Sequence, residues 1–304
     1  NDGPADLTGT LIVADRPVAV FGSHACASLP TNNVFFCNHL VEQLPPTQLW
    51  GTEFLTLPLA TRTNGDTFRF LALQNSTRVW TNGVFAVTFG KAESWQVILT
   101  NSCHIVSEHP ILVAQFAHSS RYDRVRSSDP FMVLVSPTRL FATHYEIPIP
   151  TNDFRANYLN LVVPQAIVAP VTGRAQVWLD GALLSDPFGP IGSSGYWGLQ
   201  KQLPPGEPAL HTLSTANDVP FGVLAYGWGT YDAYGYPGCL CLASSASPAQ
   251  FTCPASNHVV TANSNCLAQV PDFTLQVGGR EAALLLWQEP APGTILRVGD
   301  VGEE

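Results

Sequence analysis

PVAVFGSHACASLPTNNVFFCNHLVEQLPPTQLWGTEFLTLP, residues 17–58, opens with an apolar run, Val18, Ala19, Val20 and Phe21, of the length and composition of a buried strand. It then passes through a loop bracketed by Cys26 and Cys37 and leaves through a second strand-like run after Trp50-Gly51. Strand, disulfide loop and strand make one rigid connector, and short apolar runs separated by turn residues set the pattern for the rest of the chain.

Outward from that stretch the same pattern continues. Upstream, Leu11 to Ala14 reads as a short strand after Thr8-Gly9-Thr10. Downstream, Asn64-Gly65-Asp66 is a turn, followed by strands over Phe68 to Leu73 and through Val79-Trp80. Asn82-Gly83 is a hairpin signal, because both turn positions need positive φ. Strands around Val84 to Phe89, Trp95 to Leu99 and Pro110 to His118 follow.

The second half echoes this order. Phe141 to Pro148 corresponds to Gly51 to Pro58, Tyr158 to Val163 to Phe68 to Leu73, Val177 to Gly181 to Val79 to Gly83, and Pro220 to Trp228 to Pro110 to His118. Four echoes in one order point to duplication. The expected fold is all-β: two tandem related β-sandwich units, jelly-roll or immunoglobulin-like, with a partial unit contributed by the N-terminal strands. The expected divisions are residues 1–49 (N-terminal strands and disulfide-loop connector), 50–128 (first unit), 129–238 (second unit) and 239–304 (a Cys-containing tail with closing strands). Tail runs Phe273 to Val277 and Ala282 to Trp287 are expected to close one sheet with the N-terminal strands, which would otherwise leave an exposed edge.

Composition sets limits. The chain has 304 residues, 45% of them apolar and only 12% charged, which excludes a disordered tail and gives enough chain for a sizeable core. A formal charge of −9 argues against nucleic acid as a partner. No apolar run approaches the ~20 residues of a membrane-spanning helix, and the start, NDGPADLTG, reads as that of a processed protein or an excised fragment. The seven cysteines lack paired C-x-x-C spacing, so they read as an oxidised, secreted chain rather than a zinc site. Cys26 and Cys37 flank one loop, Cys239, Cys241, Cys253 and Cys266 crowd the tail, and Cys103 is a buried free thiol, a partner for the tail cluster or a bond to another chain. Asn75-Ser76-Thr77 is a glycosylation sequon.

Catalytic and metal constellations are not evident. The eight histidines, His24, His39, His104 and His109 among them, show no ligand spacing, and no cofactor motif follows any strand. Gly192-Ser193-Ser194-Gly195 lacks the nucleophile-elbow arrangement, and Cys26 beside His24 has a disulfide partner in Cys37. Glu42, Glu53, Asp66 and Asp232 are available for carboxylate catalysis, but no spacing singles them out. Binding features are clearer. The loop Ser119 to Asp129 carries Arg121, Tyr122, Arg124 and Arg126, suited to sulfate, sialic acid or carboxylate groups, unless its arginines pair with Asp123 and Asp129. The loop Gly227 to Cys241 carries Trp228, Tyr231, Tyr234 and Tyr236, and Trp197 is a further aromatic candidate.

The order of Pro17 to Phe21, His24-x-Cys26, Cys37-Asn38-His39, Val41 to Leu44 and Trp50-Gly51-Thr52 resembles the N-terminal domain family of IgG Fc-binding proteins. Asp129 to Leu134 and Tyr234 to Gly238 extend the resemblance over most of the chain. Members are secreted, non-enzymatic, disulfide-bonded parts of mucus or surface proteins. The resemblance therefore implies an extracellular binding or structural module engaging a protein or glycan, with IgG Fc one candidate partner. Two alternatives stand beside it: a carbohydrate-active hydrolase with a cleft between the units, and a filament subunit that self-associates through its end strands or the odd cysteine.

Overall fold

The computed structural model describes residues 6–16, 18–150, 154–206 and 209–238, with backbone alone at 250–251, 268–269, 277–278 and 295–296. The chain divides into two compact units, residues 1–242 and 243–304. The strands of the first are β1 (Phe21–Ala27), β2 (Asn38–Gln43), β3 (Gly51–Thr56), β4 (Asp66–Ala72), β5 (Thr77–Thr81), β6 (Val84–Phe89), β7 (Ser94–Leu99), β8 (Cys103–Phe116) and β9 (Met132–Leu134). They continue with β10 (His144–Pro148), β11 (Phe154–Pro164), β12 (Val177–Leu179), β13 (Ala182–Leu183), β14 (Gly189–Pro190), β15 (Tyr196–Leu203), β16 (Leu210–Thr215), β17 (Gly222–Gly229) and β18 (Asp232–Pro237). All pairings are antiparallel, so the fold is all-β with several antiparallel sheets.

β8 organises the first set. Its residues 103–107 pair with β3 and β5, with β6 outside β5, and its residues 111–116 pair with β4 and β9, with β7 outside β4 and Gly51 at the start of β3 opposite Ile111. Pro110, which has no N–H to give a ladder, sits where β8 changes partners. In the second set one sheet runs β10-β16-β12-β13 and the other β14-β15-β11-β17-β18. There β16 lies between β10 and β12, and β17 between β11 and β18.

Each set encloses its own apolar core. Phe54, Phe68, Phe70, Val79, Ile105, Ile111 and Val113 fill the first, and Ile147, Leu159, Leu161, Val177, Leu213, Val223 and Ala225 the second. Period-two alternation places these side chains. In β11 the alternation disappears, because residues 158–163 are all buried. Leu159, Leu161 and Val163 face their own core, while Tyr158 and Val162 face the first set, Tyr158 among Phe131, Val133 and Leu59 and Val162 against Leu55.

The segment 57–60 crosses this junction, and its backbone is satisfied by side chains from both sets. The Leu57 carbonyl accepts from Gln115 Nε2 at 3.0 Å and Asn160 Nδ2 at 3.4 Å; the Pro58 carbonyl accepts from Asn160 Nδ2 at 3.2 Å and Gln200 Nε2 at 2.7 Å. Ala60 N–H donates to the Tyr226 hydroxyl at 2.9 Å, which donates in turn to Asn160 Oδ1 at 3.1 Å. Buried irregular backbone requires such partners.

The N-terminal expectation is corrected. Leu11 to Ala14 and Val18 to Val20 form no strand; the strand begins at Phe21 and extends through Cys26. Leu11 is 73% exposed and Val13 82%, so the apolar run has neither a partner strand nor a core to enter. β1 and β2 form a two-stranded hairpin, Phe21 opposite Gln43 and Ala27 opposite Asn38. The hairpin covers the outer face of the first set, with Leu40, Ala27 and Leu29 against Ala114, Phe116 and Leu134. It is thus a layer on the first set, and the described residues among 11–20 are in no strand. In the second compact unit, β19 (Gln250–Phe251) pairs with β21 (Val277–Gly278), and β20 (Ala268–Gln269) with β22 (Ile295–Leu296). The rest of the expected tail strands, and Cys239, Cys241, Cys253 and Cys266, lie outside the described residues.

Candidate functional site

Three loops meet at one end of the first set. The disulfide loop is closed by Cys26 and Cys37, with Cα atoms 5.0 Å apart. It is tied to the start of the arginine loop by a reciprocal pair: Leu29 N–H donates to Ser119 Oγ and Ser119 N–H donates to the Leu29 carbonyl, each at 3.0 Å. The third loop is the turn of the β17–β18 hairpin, in which Tyr231 N–H donates to the Arg126 carbonyl at 3.4 Å. The circuit closes where Phe36 and Tyr231 bring their rings 5.5 Å apart and Asn38 Nδ2 donates to Asp232 Oδ1 at 3.4 Å.

Each loop contributes one non-glycine residue in the left-handed region: Phe36 at φ 70°, Arg124 at φ 57° and Tyr231 at φ 55°. That conformation costs of order 1 kcal/mol for a side-chain-bearing residue. Here it holds two half-exposed aromatic rings and a guanidinium outward. At Arg124 the cause is local, because the residue caps the single-turn helix Ser120–Asp123 and returns its N–H to the Ser120 carbonyl.

Beneath the surface lies a buried ionic cluster. Asp123 turns inward, 3.6 Å from Arg62 Nη1 and 3.8 Å from His118 Nδ1, all three side chains essentially without solvent. His118 Nε2 is 2.8 Å from Thr67 Oγ1, and Arg62 Nη2 donates to the Ser127 carbonyl at 3.0 Å. The Arg62 guanidinium lies 3.7 Å over the Trp228 ring, a desolvated cation–π contact. Burial draws Arg62 below its ordinary range, opposed by the charge of Asp123. Burial likewise pushes the Asp129 carboxyl up to about 6, with the negative charge of Asp232 adding to the rise. The expected pairing of the loop arginines with Asp123 and Asp129 does not occur; Arg121, Arg124 and Arg126 are exposed, and among the described residues no carboxylate lies within 4 Å of them.

The other sequence candidates have different surroundings. Tyr122 is half-buried, its ring edge-on to His118. Trp228, expected at the surface, is instead 2% exposed, because alternation along β17 sends it into the junction while the hairpin turn sends Tyr231 out. Tyr234 donates to Asn157 Oδ1 at 3.0 Å, Tyr236 donates to the Pro148 carbonyl, and Trp197 packs against the second core. These three are half-buried parts of the second set, outside the loop junction. Phe35, Phe36, Arg62, His118 and Ser119 were not singled out from sequence; adjacent phenylalanines inside a cysteine-bracketed loop were the available signal.

The sulfur and carboxylate candidates are similarly placed. Cys103, one of the cysteines considered for a disulfide, is a buried free thiol that burial pushes up to about 11. Asn75 is exposed on the turn between β4 and β5. Asp66 is fully buried and accepts from Leu59 N–H at 2.8 Å and Gln115 Nε2 at 2.9 Å. Glu53 bonds His104 at 2.9 Å and Thr138 at 2.8 Å, while Glu42 accepts from Leu134 N–H at 3.4 Å. Among the described residues, no three His, Cys, Asp or Glu side chains are grouped to hold a metal ion, and no helix is long and apolar enough to cross a membrane.

The family model described as IgGFc binding protein matches residues 2–227. The IgGFc-binding protein of Homo sapiens is 29% identical over 147 residues, 47% of this chain and 3% of that protein's own length, so the chain corresponds to a small part of it. Among solved structures, an anti-sigma factor domain-containing protein aligns with 61% of this chain and 81% of its own at 11% identity, TM-score 0.19. An FMN-binding beta-glucuronidase from Facaelibacterium prausnitzii L2-6 aligns with 72% and 38% at 12% identity, TM-score 0.17; likenesses this weak carry no argument. With more than half of its length matched by the family model, this chain belongs to the IgGFc-binding protein family.

Proposed function

We propose that this chain is a secreted, non-enzymatic binding module and that the three-loop surface receives its partner, an extracellular protein or glycoprotein. The observation that carries the reading is convergence. Phe36, Arg124 and Tyr231, from three loops far apart in sequence, are brought to one exposed junction, and the turn geometry of each loop sets its side chain outward. The aromatic and arginine content is that of interaction hot spots, and a disulfide pre-organises the loop that supplies Phe36. The family supports a binding role, and IgG Fc is the first partner to try.

The similar order of strands in the two sets supports reading residues 50–128 and 129–238 as tandem copies, preceded by the hairpin connector 1–49 and followed by the tail 239–304, although β9, at 132–134, pairs with β8 of the first set. The sequon at Asn75 sits at the opposite end of β4 from Thr67 and the buried cluster, so a glycan there leaves the loop junction uncovered.

The test is biolayer interferometry of the full chain against immobilised IgG Fc, with Phe36→Ala and Tyr231→Ala beside an edge-strand control, Phe85→Ala. Binding that falls at least about tenfold in the loop variants and holds in the control is the expected outcome. Fc binding that survives both loop variants would remove this surface as the site.

A further inference from the structure

We infer that the three-loop surface recognises an acid-bearing sugar, its ring against Phe36 and Tyr231 and its carboxylate or sulfate on Arg126, with Arg121 and Arg124 extending the cationic field. The inference rests on the binding role proposed for these loops and names the chemistry they take. It starts from charge. The chain carries −9 overall, yet three exposed guanidiniums fall within six residues. The acids that should neutralise them are diverted: Asp123 is turned inward to Arg62 and His118, and Asp129 is buried. Asp232, on the neighbouring turn, keeps an exposed carboxylate bonded by the Asn38 amide and by Ala233 N–H at 2.8 Å, one negative charge against three guanidiniums. The positive field on this face is therefore uncompensated by its own loop, and a guanidinium fork matches a carboxylate or sulfate in plane and spacing.

The aromatic geometry narrows the anion's carrier. Phe36 and Tyr231 form one inclined pair, 5.5 Å between centroids and 32° between planes, with Tyr231 bonded through its backbone to Arg126. Two adjoining half-exposed rings beside the exposed arginine loop make a footprint for a ring-shaped group bearing one negative substituent. A sugar ring offers polarised C–H groups to the aromatic faces and its acid to the guanidinium. An inorganic anion would leave the rings unused, and a neutral sugar would leave the arginines unused. The Cys26–Cys37 disulfide closes the loop that carries Phe36, which lessens the ordering left to be done there on binding.

The experiment is titration of the full chain by isothermal calorimetry or NMR with three defined probes, sialyllactose, a sulfated lactose and neutral lactose, and with tetraglutamate as an acidic peptide. Arg126→Gln, Arg126→Lys and Tyr231→Ala are compared after circular dichroism confirms that they fold. The expected result is binding of an acidic sugar that weakens with salt, a loss of about tenfold or more in Arg126→Gln and Tyr231→Ala, partial recovery in Arg126→Lys, and no binding of lactose. Equal affinity for lactose, equal affinity for tetraglutamate, or acidic-sugar binding untouched by both variants would each overturn the inference, as would no binding of either acidic sugar. If acidic sugars fail while IgG Fc binding still depends on Phe36 and Tyr231, the inference falls and the proposed function stands. If neither ligand depends on these residues, both fall.

Discussion

Asn82 and Asp180 show how one residue can specify a turn. They sit at φ 49° and 52°, each before a glycine of positive φ, Gly83 at 79° and Gly181 at 78°. Each also uses its side chain to cap the neighbouring strand: Asn82 Oδ1 accepts from His104 N–H at 2.9 Å, and Asp180 Oδ1 from Thr212 N–H at 2.8 Å. Alanine removes the bond and resists the backbone, so Asn82→Ala and Asp180→Ala should each cost about 1–2 kcal/mol in urea denaturation. Asp180→Ala should cost more, because it also strips His211, fully buried, of its 2.6 Å partner. A different residue-scale effect belongs to Asp66, whose carboxyl burial pushes up to about 6 against the bonds from Leu59 and Gln115. Its folded pKa lies above the unfolded one, so the native state binds more protons and this group's contribution to stability falls as pH rises from about 4 to about 6. Asp66→Asn should flatten that part of the thermal stability profile; an unchanged slope would show that Asp66 is not the titrating group.

At the scale of elements, the β1–β2 hairpin is the most exposed to perturbation. It rests on a small apolar cluster and is closed by a disulfide spanning 11 residues. Such a closure is worth about 2–3 kcal/mol in the chain-entropy account. The double variant Cys26→Ala/Cys37→Ala should lose about that much stability. Because Leu29 and Phe36 connect the hairpin to Ser119 and Tyr231, it should also speed amide exchange across residues 119–126. Exchange that accelerates only within 21–43 would separate the hairpin from the arginine loop. The strands at Phe68 to Leu73, Val79-Trp80, Val84 to Phe89 and Trp95 to Leu99 were legible in the sequence because turn chemistry and period-two alternation are local, whereas β15 and β16 were not singled out. Leu11 to Ala14 was misread for the same reason: apolar content permits a strand, but only a neighbouring backbone makes one.

At the scale of the whole molecule, the two sets of strands join through buried apolar clusters and a few side-chain amides that satisfy the crossing backbone. Asn160 bonds both the Leu57 and Pro58 carbonyls, beside Gln115 and Gln200, and accepts from the Tyr226 hydroxyl. Asn160→Ala leaves these buried groups short of a partner and should cost about 1–3 kcal/mol in denaturant, a large share of a marginal total. A loss within error would mean that Gln115 and Gln200 suffice.

The sequence by itself determined the all-β class, the hairpin turns at Asn82-Gly83 and Asp180-Gly181, and the Cys26–Cys37 bridge, along with the family resemblance. Tertiary structure alone decided that Tyr231 faces out while Trp228, three residues earlier, is buried, and that Asp123 abandons its neighbouring arginines for Arg62. It also decided that loops separated by 90 and 194 residues share one surface. Turn and strand preferences act between near neighbours, whereas the facing of a loop side chain depends on which distant segments pack beneath it.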